Sequence, residues 1–202
     1  IRNGSAGYQT GMYGSAIFLN CEFENTAWVG RVNESGVRME DCTVTGGTET
    51  LVSGSGGAGF YRCHLHGNGE IADCNSATLI DCTIEGNTAA TALVTVWTSM
   101  YYGGCGLEEC SNCIFADNQA PFVIGGAGIR CTGCTFVGNT GGAIEWAYWG
   151  SEPCQDLILT GCTFVAGGST EGAQIVTDAW EDPWDVEVRI DVPRTWRFLE
   201  AL

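Results

Sequence analysis

The sequence predicts an all-β fold: a right-handed single-stranded parallel β-helix with about 21 residues per coil and seven to eight coils. Three observations predict it. A Cys-x-apolar step recurs at a nearly constant spacing, an asparagine or glycine follows each step at a fixed distance, and apolar and polar residues alternate around both.

The cysteine step sets the coil length. Seven cysteines are separated by 21, 21, 19, 31, 21 and 28 residues, and they are Cys21, Cys42, Cys63, Cys82, Cys113, Cys134 and Cys162. Residues two apart on a strand point to the same side, so each cysteine and the apolar residue after it face inward. Strands that recur at this spacing are the parallel rungs of a solenoid, since two-residue hairpins would join antiparallel strands.

The asparagine column marks the turn after each step. It contains Asn68, Asn87, Asn118 and Asn139, with Gly47 and Gly167 at the same place in two coils and Asn25 one residue early in the first. Stacked asparagine side chains can bond from coil to coil. Further strands are predicted before the cysteine at 16–19, 77–80, 128–130 and 157–159, and after the asparagine at 91–96, 122–124 and 143–146. Each coil therefore carries about three short strands.

The two ends differ in pattern. Residues 1–176 are predicted to form the coils and 177–202 a C-terminal cap, in which three tryptophans and an alternating strand at 186–192 cover the last core layer. Ile1 lies one coil before Phe23, so the chain is expected to start in mid-coil and to continue upstream coils of a longer parent chain.

Charge and cysteine content restrict the partners. The net charge is −16 and lysine is absent, so phosphate-bearing nucleic acid is an unfavourable partner. No run of 18 apolar residues occurs, and we expect no membrane insertion. Twelve cysteines favour an oxidising, extracellular or cell-surface location. No cofactor is expected, although so acidic a surface is compatible with calcium.

Five cysteines lie outside the column. Cys74, Cys105 and Cys154 precede their column cysteine by eight residues, and Cys110 and Cys131 precede theirs by three. Equivalent positions in adjacent coils lie about 5 Å apart, so we predict the disulfides Cys74–Cys105 and Cys110–Cys131. The alternative is zinc, because Cys110-x-x-Cys113 and Cys131-x-x-Cys134 have the spacing of zinc ligands.

Two insertions at the same edge of the solenoid are rich in aromatic residues. They supply the candidate ligand-binding residues Trp97, Tyr101, Tyr102, Trp146, Tyr148 and Trp149. Aromatic faces beside carboxylates suit sugar rings, and Glu145 and Glu152 lie close by in sequence. These two acids are the catalytic candidates of an enzyme hypothesis. The alternative is that the aromatic rings only pack on one another.

One pair of histidines is a candidate metal site. His64 and His66 lie on one outer face, with Glu85 beside them in the next coil. We predict a solvated pair without a metal ion, and a metal trio is the alternative.

One coil carries a recognisable double motif. Phe136-Val-Gly-Asn139 followed by Gly141-Gly-Ala-Ile144 resembles the F-x-x-N and G-G-A-[ILV] motifs of chlamydial polymorphic outer membrane proteins and related bacterial β-helix repeat proteins. The resemblance implies a secreted or surface-displayed β-helix of the adhesin type, and it transfers no catalytic residue. We therefore expect a non-enzymatic surface module that contacts glycans or other cell-surface components. The alternative is a polysaccharide lyase or glycoside hydrolase acting at the same aromatic and acidic edge.

Overall fold

A computed structural model describes residues 8–9, 14–33, 35–99, 104–147, 156–165, 175–178 and 188–191. Within these ranges the chain forms only strands and turns. No helix long and apolar enough to cross a membrane occurs in these ranges.

Twenty-two strands follow one another along the chain. The first eleven are β1 (Tyr8–Gln9), β2 (Ala16–Leu19), β3 (Glu22–Glu24), β4 (Gly30–Val32), β5 (Gly36–Glu40), β6 (Thr43–Thr45), β7 (Val52–Tyr61), β8 (His64–His66), β9 (Ala72–Ile80), β10 (Thr83–Glu85) and β11 (Ala92–Val96). The others are β12 (Thr98–Ser99), β13 (Gly104–Ser111), β14 (Ile114–Ala116), β15 (Phe122–Gly126), β16 (Ile129–Thr132), β17 (Thr135–Val137), β18 (Gly142–Ala147), β19 (Leu157–Thr160), β20 (Thr163–Val165), β21 (Ile175–Asp178) and β22 (Val188–Asp191).

The strands stack into three parallel ladders, and this confirms the predicted parallel β-helix with about three strands per coil. The short ladder is the seven-stranded sheet of β3, β6, β8, β10, β14, β17 and β20. The leading ladder enters each cysteine step and consists of β2, β5, β13, β16, β19, β22 and the second halves of β7 and β9. The trailing ladder follows each asparagine and consists of β1, β4, β11, β15, β18, β21 and the first halves of β7 and β9.

Left-handed residues form the corners at both ends of the short ladder. The residue before each column cysteine has positive φ, namely Asn20, Asp41, Arg62, Asp81, Asn112, Gly133 and Gly161. So does the residue directly after each short strand from β3 to β17, namely Asn25, Gly46, Gly67, Gly86, Asp117 and Gly138. Gly, Asn and Asp adopt this conformation at low cost, which explains their recurrence. Asn25 is thus a corner residue, and Thr26 occupies the asparagine position of its coil.

The core runs along the axis between the ladders. Six of the seven column cysteines are buried, and Cys21 is half-buried. The apolar residue two positions later is also buried in six steps and half-buried as Phe164 in the last, while the intervening side chain is exposed or half-buried. Phe136 stacks on Phe115 on one side and on Phe164 on the other, with ring centroids 4.8 Å and 4.7 Å apart. The predicted inward column is confirmed.

The asparagine column is buried and continuous from Asn68 to Asn139. The amide oxygen of each asparagine accepts from the backbone N–H of the column residue one coil earlier, at 2.8–3.0 Å. The amide nitrogen donates to a carbonyl of the previous coil, as Asn87 does to Leu65 at 3.0 Å. The predicted hydrogen bonding from coil to coil is confirmed.

The predicted C-terminal cap lies mostly outside the described residues. Val188–Asp191 pairs in parallel with β19 and adds a rung to the leading ladder. Ile175–Asp178 pairs in the same way with β18.

Candidate functional site

The outer side of the trailing ladder carries an unbroken row of polar or small residues. We call this row the trailing face; in register it contains Arg31, Ser53, Asp73, Thr95, Gly125 and Glu145. These positions alternate with inward ones, so each coil contributes one outward position, about 4.8 Å from the next.

Asp73 holds an exposed tryptophan at the centre of this face. Trp97 follows β11 directly and is 54% exposed. Its indole N–H donates to the Asp73 carboxylate, and its backbone N–H donates to the Cys74 carbonyl at 2.9 Å. These two hydrogen bonds fix the orientation of the ring, and about half of the residue stays open to solvent. The predicted role of Trp97 in ligand binding stays a prediction.

Glu70 is the second carboxylate at this place. It is half-buried, and the hydroxyls of Thr50 and Thr95 donate to its two oxygens at 2.8 Å and 3.0 Å. Burial raises the pKa of the Glu70 carboxyl, the two hydroxyls oppose that shift, and the negative charge of Asp73 adds to it. A carboxyl with a raised pKa next to a second carboxylate is the pair from which general acids are built.

The same face continues on both sides of this pair. On one side the Arg31 guanidinium donates to Ser53 at 2.7 Å and to Glu49 at 2.6 Å, and it lies 5.3 Å from the ring centre of Trp28. On the other side, an added Cβ on Gly125 would lie 3.5 Å from a carboxylate oxygen of Glu145. That Cβ would also lie 3.1 Å from the Cβ of Ala92, so the space at the buried Gly125 is already filled by its neighbours.

The sequence pattern did not single out Glu70 or Asp73. Both precede or open β9 in a coil without an insertion, so neither lies near an unusual segment. The available signal was alternation: Asp73 lies between the inward residues Ala72 and Cys74, which places it on the outer face.

Trp146 was predicted to contact ligand, and this prediction is wrong. The residue is 3% exposed and belongs to the core. It shares the inward register of Gly126 and Val96, while its neighbour Glu145 points outward. The alternation of Ile144, Glu145 and Trp146 explains this, because period 2 places the tryptophan inside.

The first insertion begins as a hairpin, with β12 antiparallel to β13. The other predicted site residues of the insertions lie outside the described part of the chain: Tyr101, Tyr102, Tyr148, Trp149 and Glu152.

Neither predicted disulfide is formed. Cys74, Cys110 and Cys131 are free thiols, and the side chain of Cys105 is outside the described part. Cys110 and Cys131 are indeed register partners in neighbouring strands. However, in-register parallel residues hold their Cβ atoms about 4.8 Å apart, beyond the roughly 3.5–4.5 Å that a disulfide requires. Burial raises the pKa of the Cys74 thiol to about 12, so it stays protonated.

The two histidines and Glu85 lie together on the outer side of the short ladder. Glu85 Oε1 is 2.8 Å from His64 Nε2 and 3.6 Å from His66 Nδ1. The side chains are 46%, 51% and 39% exposed for His64, His66 and Glu85, so water reaches all three. Glu85 and His64 can form this hydrogen bond without a metal ion, and the same geometry also suits three ligands of one metal ion, so the solvated pair stays a prediction and the metal trio its alternative.

Comparison with known proteins adds the handedness of the coil. No curated protein and no solved structure matches the chain. A family model described as the right-handed β-helix region matches residues 8–164. That range contains the short ladder from β3 to β17 and most of β20, together with the Asp73–Trp97 pair. With the parallel ladders and the asparagine column, this match shows that the chain belongs to the right-handed β-helix family.

Proposed function

We propose that this β-helix is an extracellular or surface-displayed module of the adhesin type, which binds glycans on its trailing face. The single observation that carries this proposal is the exposed indole of Trp97, fixed by Asp73. Tryptophan offers a large rigid apolar face at low entropic cost, and such residues supply much of the energy of binding sites. Carboxylates and hydroxyls around it offer acceptors and donors for sugar hydroxyls.

The surface location is supported by the F-x-x-N and G-G-A-I motifs around Asn139 and Ile144. The free thiols of the described cysteines give no support to a disulfide-dependent location. The net charge of −16 disfavours polyanionic sugars, so neutral or amino-bearing glycans are the expected ligands.

Glycan arrays and calorimetry on the intact chain test this proposal. The Trp97→Ala variant should lose about tenfold or more in affinity, which corresponds to about 1.4 kcal/mol. The matched control is Ile114→Ala, which removes a similarly exposed apolar side chain from the short ladder. Absence of glycan binding by the unmodified chain, or equal loss in both variants, would refute the trailing face as a glycan site.

The second candidate is a carbohydrate-active enzyme, and the raised pKa of the Glu70 carboxyl beside Asp73 favours it. Glu70 would be the proton donor and Asp73 the second carboxylate of a paired-acid mechanism. The variants Glu70→Gln and Asp73→Asn keep an oxygen acceptor and remove the ionisable group. Release of reducing or unsaturated ends that both variants abolish, with binding retained, would establish the enzyme. Binding without turnover in the unmodified chain would establish the binding module.

A further inference from the structure

Two coils depart from the rest of the solenoid at one inward position. Three residues before each column cysteine, the leading ladder places a side chain in register with its neighbours. In five coils that residue is large and apolar, namely Phe18, Met39, Phe60, Leu79 and Leu159. In the two adjacent coils between Leu79 and Leu159 it is Cys110 and Cys131.

The hydrogen bonds of the column cysteines do not explain why Cys110 and Cys131 are cysteines. A column thiol donates to the carbonyl three residues before the previous column cysteine, as Cys63 does to Met39 at 3.4 Å and Cys82 to Phe60 at 3.3 Å. The acceptor in that hydrogen bond is a backbone carbonyl, so the residue that provides it can equally be Phe or Met. Cysteine is much smaller than leucine or phenylalanine, so the two substitutions remove apolar volume from a close-packed core.

Three thiols converge in this space, and a fourth lies on the neighbouring strand. We call Cys110, Cys113, Cys131 and Cys134 the thiol cluster. The Sγ atoms of Cys110, Cys113 and Cys134 all lie within 4.8 Å of one another, and the Cys110–Cys134 distance is 3.5 Å. Cys131 is the register partner of Cys110 on the neighbouring strand, so the Cα atoms of the two residues lie about 4.8 Å apart. All four residues are at most 1% exposed.

The distances among Cys110, Cys113 and Cys134 fit three corners of a tetrahedral metal site, and Cys131, in register with Cys110, can supply the fourth. Zinc–thiolate bonds of about 2.3 Å in a tetrahedron place the sulfurs about 3.8 Å apart. Four sulfur ligands without water are the donor set of a closed structural site. The pattern Cys110-x-x-Cys113 with Cys131-x-x-Cys134 supplies them from two consecutive coils.

We propose that the thiol cluster binds one structural Zn²⁺ ion inside the β-helix, with Cys110, Cys113, Cys131 and Cys134 as its ligands. Binding exchanges the thiol protons for the metal ion, so up to four protons are released to solvent as the four Zn–S bonds form. The ion fills the volume that leucine fills in the flanking coils, and it joins two coils through their side chains. No redox change accompanies this step.

The test uses the intact chain in a His64→Ala/His66→Ala background, since the histidine pair is a second place where zinc could bind. The chain is refolded under reducing conditions with Zn²⁺ alone, and native mass spectrometry gives the stoichiometry. One tightly held zinc ion per chain is expected, and Co²⁺ in its place should give the charge-transfer absorption of tetrahedral thiolate coordination.

Three variants locate the ion. Loss of a residue that only supports a metal ligand lowers metal affinity up to about 100-fold. Cys110→Ser removes a ligand itself, so it should lower zinc affinity by more than about 100-fold. Cys131→Leu places in this coil the residue of the flanking coils, Leu79 and Leu159, so the variant should fold. It should bind zinc no more tightly than the Cys110→Ser variant does. Cys42→Ser removes a column cysteine outside the cluster and should bind zinc as the unmodified chain does.

Three results would overturn the proposal. One is a fully reduced, folded chain that takes up no zinc. Another is a Cys110–Cys134 disulfide in the native protein that persists when zinc is supplied during refolding. The third is equal zinc binding by the Cys131→Leu variant, which would place the ion elsewhere.

Discussion

At the scale of single residues, Asn118 connects three coils with one amide group. Its oxygen accepts from the backbone N–H and the side chain of Asn87, both at 3.0 Å, and its nitrogen donates to the Ile84 carbonyl at 3.0 Å and to Asn139 at 2.9 Å. The residue is fully buried. If the Asn118 amide were removed, the groups bonded to it would lose this partner in a core without water. The amide therefore contributes more to stability through its hydrogen bonds than through apolar contacts.

The Asn118→Ala variant should lose about 3 kcal/mol in the free energy of unfolding, because it strands the Asn87 N–H and the Ile84 carbonyl at about 1–3 kcal/mol each. Urea unfolding measures this loss. Gln119→Ala is the matched control, since that neighbouring side chain is exposed. A loss under about 1 kcal/mol, or an equal loss in the control, would contradict the role assigned to the column.

Thr26 lies at the asparagine position of the first complete coil. Replacing it should raise the free energy of unfolding, whereas replacing Asn118 should lower it. Its hydroxyl is buried and has no hydrogen-bond partner among the described residues. Thr26→Val keeps the shape and removes the unpaired hydroxyl, so stability should rise by about 1 kcal/mol. A destabilised Thr26→Val variant in the same unfolding assay would mean that the hydroxyl has a partner after all.

The residue scale also shows where sequence reasoning ends. The asparagine column was predictable because its residues share identity and spacing. The left-handed corner before each cysteine was not, since Asn, Asp, Arg and Gly all occupy it and no single residue type marks it. The corner and the column position are adjacent in sequence, and asparagine occurs at both. The sequence pattern therefore does not distinguish Asn25, a corner residue, from a column residue.

At the scale of strands and ladders, Glu70 joins three successive coils through Thr50 and Thr95. Its pKa is raised, so the folded state holds the proton more tightly than the unfolded chain does. The stabilisation that results is present below the ordinary glutamate pKa of 4.5 and is lost as pH rises through the raised value. At neutral pH the ionised Glu70 therefore costs stability.

Glu70→Gln should accordingly be more stable than the unmodified chain at pH 7, and the difference should shrink as pH falls toward 4.5. Urea unfolding across that range gives the comparison. The control is Glu108→Gln, which removes the same type of carboxylate from an exposed position. A Glu70→Gln variant that is less stable at pH 7 would mean that the hydroxyl contacts outweigh burial.

The strands themselves were largely predictable, because each is short, alternates regularly and recurs. The carboxylate pair was not, because Glu70 and Asp73 come together with Thr95 and Trp97 only through stacking of coils that are about 20 residues apart. Insertions drew attention to aromatic residues, yet alternation within β18 places Trp146 inside. The alternation of residues within the strand predicts the direction of the Trp146 side chain better than its proximity to an insertion does.

At the scale of the whole molecule, the chain carries a large excess of negative charge. A net charge of −16 repels itself more strongly in the compact state than in the expanded unfolded chain. Screening lengths fall from about 30 Å at 0.01 M salt to about 8 Å at 0.15 M. Added salt should therefore stabilise the fold.

Raising NaCl from about 0.01 M to about 0.15 M should raise Tm by about 2–4 °C, the shift that about 1 kcal/mol produces in a chain of this size. Differential scanning calorimetry measures it. CaCl₂ and MgCl₂ at equal ionic strength are the controls, and equal rises are expected from general screening. A distinctly larger rise with Ca²⁺ would contradict pure screening and indicate a calcium site.

The repeated left-handed corners have a consequence for the length of the solenoid. All seven column cysteines are preceded by a residue in the same left-handed conformation, and the chain leaves each short strand from β3 to β17 through another left-handed residue. Excision of residues 43–63 would join Cys42 to His64, and each remaining coil would still find the neighbour geometry that its hydrogen bonds require. Duplication or loss of a whole coil in the gene would therefore yield a longer or shorter protein that folds without compensating substitutions, and relatives of different length are the natural products of such a fold.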